Sequence, residues 1–103
     1  SSDEARHKAE LLYVKDSSAM LEDIMDSTAD KALRRKIEEL HDIIHASPAR
    51  SNEMAREYEM TIMDLIENLD NSVQKGDLDN ASIIIGKIKR NANQRNRIVR
   101  QSN

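Results

Sequence analysis

Three acid–histidine pairs at helical spacing are the residues best suited to chemistry: Glu4-x-x-His7, Glu38-x-x-His41 and Asp42-x-x-His45. Carboxylate-bridged di-metal bundles use two Glu-x-x-His turns and a further Glu from each of two other helices, all pointing inward. Binding of iron, manganese or zinc is therefore the chemistry these residues would serve. The apolar spacing around them argues against it. Glu38 sits about 100° round the helix from the Ile37 core row, and Glu4 lies near a terminus, where helices fray. An acid and a histidine three residues apart are ordinary surface partners, and a chain with 19 acidic residues offers many such spacings. No metal site and no cofactor is expected.

Other catalytic signatures are missing. The sequence has no cysteine and only two glycines, so it carries neither a thiol nucleophile nor a glycine-rich phosphate loop, and no HExxH zinc pattern occurs. A serine nucleophile would need a strained strand–turn–helix elbow, and nothing in the pattern supplies a strand. The chain is expected to be non-catalytic.

The basic end is the second candidate. KIKRNANQRNRIVRQSN, Lys87 to Asn103, holds six basic side chains and no acidic one, whereas all 19 acids lie at or before Asp79. Residues 1–85 carry 10 Lys and Arg against those 19 acids, a balance of -9, and the remainder carries +6, for a net charge of -3. On a helical wheel Lys89, Arg90, Arg97 and Arg100 share a sector of about 100°. Such cations suit phosphates, which makes a nucleic-acid-binding accessory domain the alternative function, with Lys87 to Arg100 as its contact helix. Reading or stacking bases needs more than charge, however, and no aromatic residue is interleaved with these cations. Asn91, Asn93, Gln94 and Asn96 are equally at home on a solvated helix. An acidic remainder repels DNA, so charge pairing with an acidic helix, in this chain or in a partner, is the preferred reading. A chain this dipolar also pairs readily with itself, head to tail.

These residues must be positioned by helices. At 103 residues the chain is expected to form one domain (1–103) with a single core. One Pro, two Gly and two aromatic residues, both Tyr, leave Leu, Ile, Met and Ala to build that core. The sequence predicts an all-α fold, an up-and-down bundle of three to four helices over approximately residues 3–26, 28–46, 48–75 and 78–100. Leu11, Val14, Ser18, Leu21 and Met25 give the first stripe, flanked by Tyr13, Met20 and Ile24. Asp3, Glu4 and Glu10 favour the positive end of that helix. Ser27 or Thr28 is the expected N-cap of the second helix, with Leu33, Ile37, Leu40 and Ile44 as its stripe, although one continuous helix through this point is also compatible with the pattern. Ser47 is expected to cap the third helix, with Pro48 in its first turn. Met54, Tyr58, Ile62, Leu65, Leu69 and Val73 form its stripe. Gly76 suits a left-handed C-terminal cap and Asp77 the next N-cap, so the third and fourth helices are antiparallel neighbours. In the fourth, Leu78, Ala81, Ile85, Ile88, Ala92 and Val99 are in register, and Arg95 takes the one intervening slot.

Apolar residues also occur where solvent is expected. Met60 sits among Arg56, Glu57, Asp64 and Glu67, Met63 lies at the edge of the stripe, and Ile83 shares a side with Lys87 and Arg90. Isolated exposed apolar residues are normal, yet methionines adapt well to partner grooves. Ser82 and Gly86 leave room for another helix to approach. Met60, Met63, Ile83, Lys89, Arg90, Arg97 and Arg100 are therefore the candidate partner-binding residues. The function expected is a non-catalytic protein–protein interaction or oligomerisation module, an adaptor or scaffold. Its expected partners are another protein or a second copy, with nucleic acid less favoured. No apolar run approaches the ~20 residues of a membrane span, so no membrane insertion is expected. With no cysteine and no signal-peptide core, the cytoplasm is the expected location. The start SSDEARHK, without an initiator Met, suggests a processed chain or a part of a longer protein.

Overall fold

The structure, a computed structural model, describes the backbone of residues 2–102 and the side chains of Glu4 and of residues 12–102. The side chains of Asp3, His7, Glu10 and Leu11 invoked above lie outside the described residues. Four helices are present among the described residues: α1 (Ser2–Asp26), α2 (Lys31–His45), α3 (Glu53–Lys75) and α4 (Leu78–Gln101). They form an up-and-down bundle.

The helix ends show how the chain punctuates itself. Ser27 and Thr28 do not cap α2. Their hydroxyls donate backwards to the Ile24 carbonyl, at 3.0 and 2.6 Å, and so close the C-terminus of α1. Asp30 caps α2 instead, accepting from the Leu33 amide at 2.9 Å. Ser47 behaves in the same way: its hydroxyl donates to the Ile43 carbonyl at 2.7 Å, and the cap of α3 falls to Asn52, which accepts from the Ala55 amide at 2.7 Å. The helices thus start two to five residues later than the caps suggested, because a hydroxyl can serve the helix behind it as well as the one ahead. The α3–α4 turn follows the sequence. Gly76 adopts φ of 73°, the Asp77 amide donates to the Ser72 carbonyl at 2.9 Å, and Asp77 caps α4 through the Asn80 amide at 3.1 Å.

Cross-contacts fix the arrangement. The α1–α2 pair is antiparallel, with Glu22 against His41. The α3–α4 pair is also antiparallel, with Ser72 against Asn80 and Asn52 against Ser102. Between the two hairpins, α1 packs on α3 and α2 on α4. Ser17 meets Met63 while Ser27 meets Gln74, and Lys36 meets Ser82 while Ser47 meets Asn96, so both of these pairs are parallel. Round the bundle the order is α1, α2, α4, α3. The connection from α2 to α3 must therefore cross a diagonal at one end of the bundle.

The core holds Leu21, Leu33, Ile37, Leu40, Ile44, Ile62, Ile66, Leu69 and Ile88, all buried. Every stripe residue named for α2 is in it. In α1 the buried line is Tyr13, Ser17, Leu21 and Ile24, continued by Thr28 just beyond its end, with Ser18 also buried and Val14, Met20 and Met25 half-buried beside it. In α3 the buried line is Ala55, Glu59, Ile62, Ile66, Leu69 and Ser72, whereas Met54 is exposed. That helix is turned by about one position from its apolar stripe, which brings Glu59 inward. Leu78 is likewise exposed, at the outer start of α4.

Candidate functional site

The inward turn of α3 has a partner on α4. Arg95 is completely buried, and its Nε donates to Glu59 Oε2 at 2.9 Å. Its Nη1 donates to the Pro48 carbonyl at 2.7 Å and to Asn96 Oδ1 at 3.1 Å, and its Nη2 donates to the Arg50 carbonyl at 2.8 Å. The guanidinium carbon lies 4.6 Å from the centre of the Tyr13 ring, across the diagonal of the bundle. Ser51 donates to the same Glu59 Oε2 at 2.7 Å, and Asn96 donates to the Ser47 hydroxyl at 2.9 Å. One arginine therefore touches α1, α3 and the segment that crosses from α2 to α3. Burial pushes the Tyr13 phenol up to about 12; Arg95 beside it pulls the other way, and Glu59 adds to the rise. No hydrogen-bond partner for the Tyr13 hydroxyl is present among the described residues. The Nε, Nη1 and Nη2 donors of Arg95 are spent on backbone and side-chain acceptors, so the chemistry of this cluster is that of a structural clamp.

The histidines are used differently from the pattern that singled them out. His41 Nε2 lies 3.0 Å from Glu22 Oε1 and its Nδ1 lies 3.1 Å from Asp42 Oδ1, while its ring stacks on His45 at 5.4 Å. The partner of His41 is thus a carboxylate on α1 rather than Glu38. His7 lies outside the described residues, and among the described residues no three His, Asp or Glu side chains gather in a way that could hold a metal ion.

The seven candidate partner-binding residues fall into two places. Met60 is 70% exposed on α3, with half-buried Met63 beside it; both line a groove against Leu12, which is 41% exposed on α1. Along the same α1/α3 edge this groove is followed by a cleft of about 470 Å³ whose acidic walls are Asp23, Glu67 and Asp70. Ile83, 58% exposed, stands on the outer face of α4, as do Lys89, Arg90, Arg97 and Arg100, all exposed. Ion pairs among the described residues join His41 to Glu22 and Asp42, and Arg95 to Glu59. None uses Lys87, Lys89, Arg90, Arg97 or Arg100. Arg97 donates only to Gln94 Oε1, at 3.2 Å. Among the described residues, these cations do not pair with the acids of the same chain.

Gly86 is not filled by a helix of this chain either. A methyl group placed there would meet only the Arg90 guanidinium, at 3.4 Å, and Ser82 accepts a hydrogen bond from Lys36 Nζ at 3.3 Å. Arg95 and Glu59 were the residues least visible as a site. Arg95 alone gave a signal, a charged side chain in the core register of α4, whereas Glu59 stood one position off the apolar stripe expected for α3. No helix among the described residues is long and apolar enough to cross a membrane. No family model matches the sequence, and neither the curated proteins nor the solved structures contain a significant match to it.

Proposed function

We propose that this chain is a non-catalytic helical interaction or oligomerisation module, an adaptor or scaffold piece that presents rigid helix faces to another protein in the cytoplasm. The observation that carries the reading is the row of exposed cations on α4 with no carboxylate partner among the described residues, beside an exposed Ile83. Charges left unpaired on a rigid helix are free to steer and register a partner, and apolar residues among them supply the anchor. The exposed Met60 with Leu12 offers a second anchor on the opposite side of the molecule.

The test is light scattering of the purified chain together with capture of partners on the immobilised chain. Self-association or a specific partner is expected, and Met60→Asp or Ile83→Asp should weaken it. A strict monomer that captures no partner sensitive to either substitution would sink the proposal. The same unpaired cations favour nucleic acid as the second reading. Against it, Tyr13 is buried and Tyr58 half-buried on α3, so neither offers a base a stacking surface on α4. Retardation of DNA or RNA that falls steeply with salt, and with Arg97→Glu plus Arg100→Glu, would replace the protein reading.

A further inference from the structure

We propose that the partner of α4 is a second copy of this chain, whose α1/α3 groove receives the Ile83–Arg90–Arg97 ridge head to tail. The inference rests on the interaction reading above and names its partner. Two surfaces of this molecule complement each other in charge and in the spacing of their apolar and charged residues, and neither uses the other within one copy. The ridge of α4 presents Ile83, Arg90 and Arg97 at seven-residue intervals, so they stand in one line about 10.5 Å apart. All three are exposed, and neither arginine reaches a carboxylate among the described residues.

The groove offers the matching features in the same order. Met60, Met63 and Leu12 form its apolar end, and Asp23, Glu67 and Asp70 line the rest. Glu67 is seven residues beyond Met60, again about 10.5 Å along the helix. With Ile83 seated beside Met60, Arg90 therefore comes level with Glu67, and Arg97 passes the turn that holds Asp70. The groove acids have little else to hold: Asp70 accepts from Gln74 at 3.3 Å, and no ion pair among the described residues uses Asp23, Glu67 or Asp70.

Geometry sets the symmetry of the contact. Because α4 lies diagonally across from α1, its outer ridge and the α1/α3 groove face away from each other. One two-fold interface cannot contain both. The contact is therefore heterologous, and each pairing leaves one ridge and one groove free, so the assembly grows into a chain or closes as a ring.

That asymmetry gives a specific test by sedimentation velocity over a range of concentrations, using the full chain and two variants. Glu67 and Arg90 are exposed, so Glu67→Lys and Arg90→Glu should keep the helical circular dichroism of the parent. The parent is expected to grow in mass with concentration and to dissociate in high salt. Each variant alone should associate at least about tenfold more weakly. Mixed, the two should regain concentration-dependent association, because the first retains an intact ridge, the second an intact groove, and the two reversed surfaces are again opposite in charge. A parent that stays monomeric at low salt overturns self-pairing; the broader interaction reading then stands or falls separately, on partners sensitive to Ile83→Asp. A parent that associates equally well with either reversal, or a mixture that yields no dimer, also overturns it. So does a monomeric parent that retards single-stranded DNA or RNA, which would give the ridge to phosphates.

Discussion

Replacing Arg95 by methionine should cost about 3–5 kcal/mol, because it strands the buried Glu59 carboxylate without its cation. Glu59 would keep the Ser51 hydroxyl, a single neutral donor, in place of a charge-assisted bond of 2.9 Å. The carbonyls of Pro48 and Arg50 would also lose their donors, at 2.7 and 2.8 Å, but Arg50 is exposed and the connection is near enough to solvent for water to substitute in part. A domain of this size has about 5–15 kcal/mol in total, so the single change consumes a large fraction of its stability. Glu59→Met alone should cost about 2–4 kcal/mol, since Arg95 keeps its two backbone acceptors and the Tyr13 ring. In the double variant no charge is stranded. Its cost should fall below that of Arg95→Met alone, and it should retain about 1–2 kcal/mol of destabilisation for the two carbonyl bonds. Urea unfolding followed by far-ultraviolet circular dichroism gives all four corners of the cycle, run at several protein concentrations so that association does not enter. Amide exchange in residues 46–52 should accelerate in Arg95→Met more than in the α2 core. The reasoning is refuted if Arg95→Met lies within about 1 kcal/mol of the parent, or if the two single costs simply add in the double variant.

Two further substitutions have opposite expected signs. Gly76→Ala forces a methyl group into φ of 73° and should destabilise the chain by about 1–2 kcal/mol, whereas Gly86→Ala, in a helical backbone with only the mobile Arg90 guanidinium nearby, should stabilise it by about 0.5–1 kcal/mol; thermal melts of both decide it. Tyr13 ionises at about 12 in the fold against 10.0 ordinarily, so its contribution is intact below pH 10 and is lost as pH rises from there through about 12. That loss reaches about 2–3 kcal/mol at its upper end. In Tyr58→Phe, which leaves Tyr13 as the only phenol, a tyrosinate absorbance midpoint near 10 would contradict the buried placement.

Much of the architecture was legible because helical periodicity is strong where apolar residues are dense. The α2 stripe of Leu33, Ile37, Leu40 and Ile44 is entirely buried, and the Gly76–Asp77 turn has the caps its residues suggested. What was not legible has a common physical origin. Ser27, Thr28 and Ser47 are good N-cap residues by type, but a hydroxyl at the end of a helix can equally bond the carbonyl three or four residues back, and only the packed structure decides between them. Similarly, α3 has Met54, Tyr58 and Leu65 on one flank of its core and Ala55, Glu59 and Ile66 on the other. Counting apolar residues favours the first set. The energy of a carboxylate depends on what lies opposite it, and the pairing with Arg95 brings the second set inward. Arg95 itself stood in a core register, yet its burial needed acceptors from Pro48 and Arg50 that no local pattern reveals. For the candidate partner-binding residues, the sequence separated exposed from buried positions well, since Met60 and Ile83 are indeed solvent-facing. It could not show that they lie on different sides of the bundle.

That separation follows from the crossing connection. If α3 followed α2 round the bundle, the order would be α1, α2, α3, α4, and the cations of α4 would lie beside the acids of α1. Tyr13 stands level with Arg95, so Asp16 would then lie within about two turns of Arg90 and Arg97, and charge could be spent inside one molecule. With the order observed, α4 is diagonal to α1, and α1 shares its edge with α3, whose Glu67 and Asp70 add to the same acidic wall. The connection from Ala46 to Asn52 therefore decides which charges meet and which stay free. Its Pro48 and Arg50 carbonyls end on the Arg95 guanidinium, and the Glu59 carboxylate and the Tyr13 ring hold that guanidinium in place. A buried ion pair is a weak source of stability compared with apolar packing, and is better suited to specifying one arrangement over another. Here the arrangement it specifies is the one that leaves an acidic groove and a basic ridge on opposite sides of the molecule. The clamp thus links a residue that no partner could touch to the surfaces through which a partner would be met.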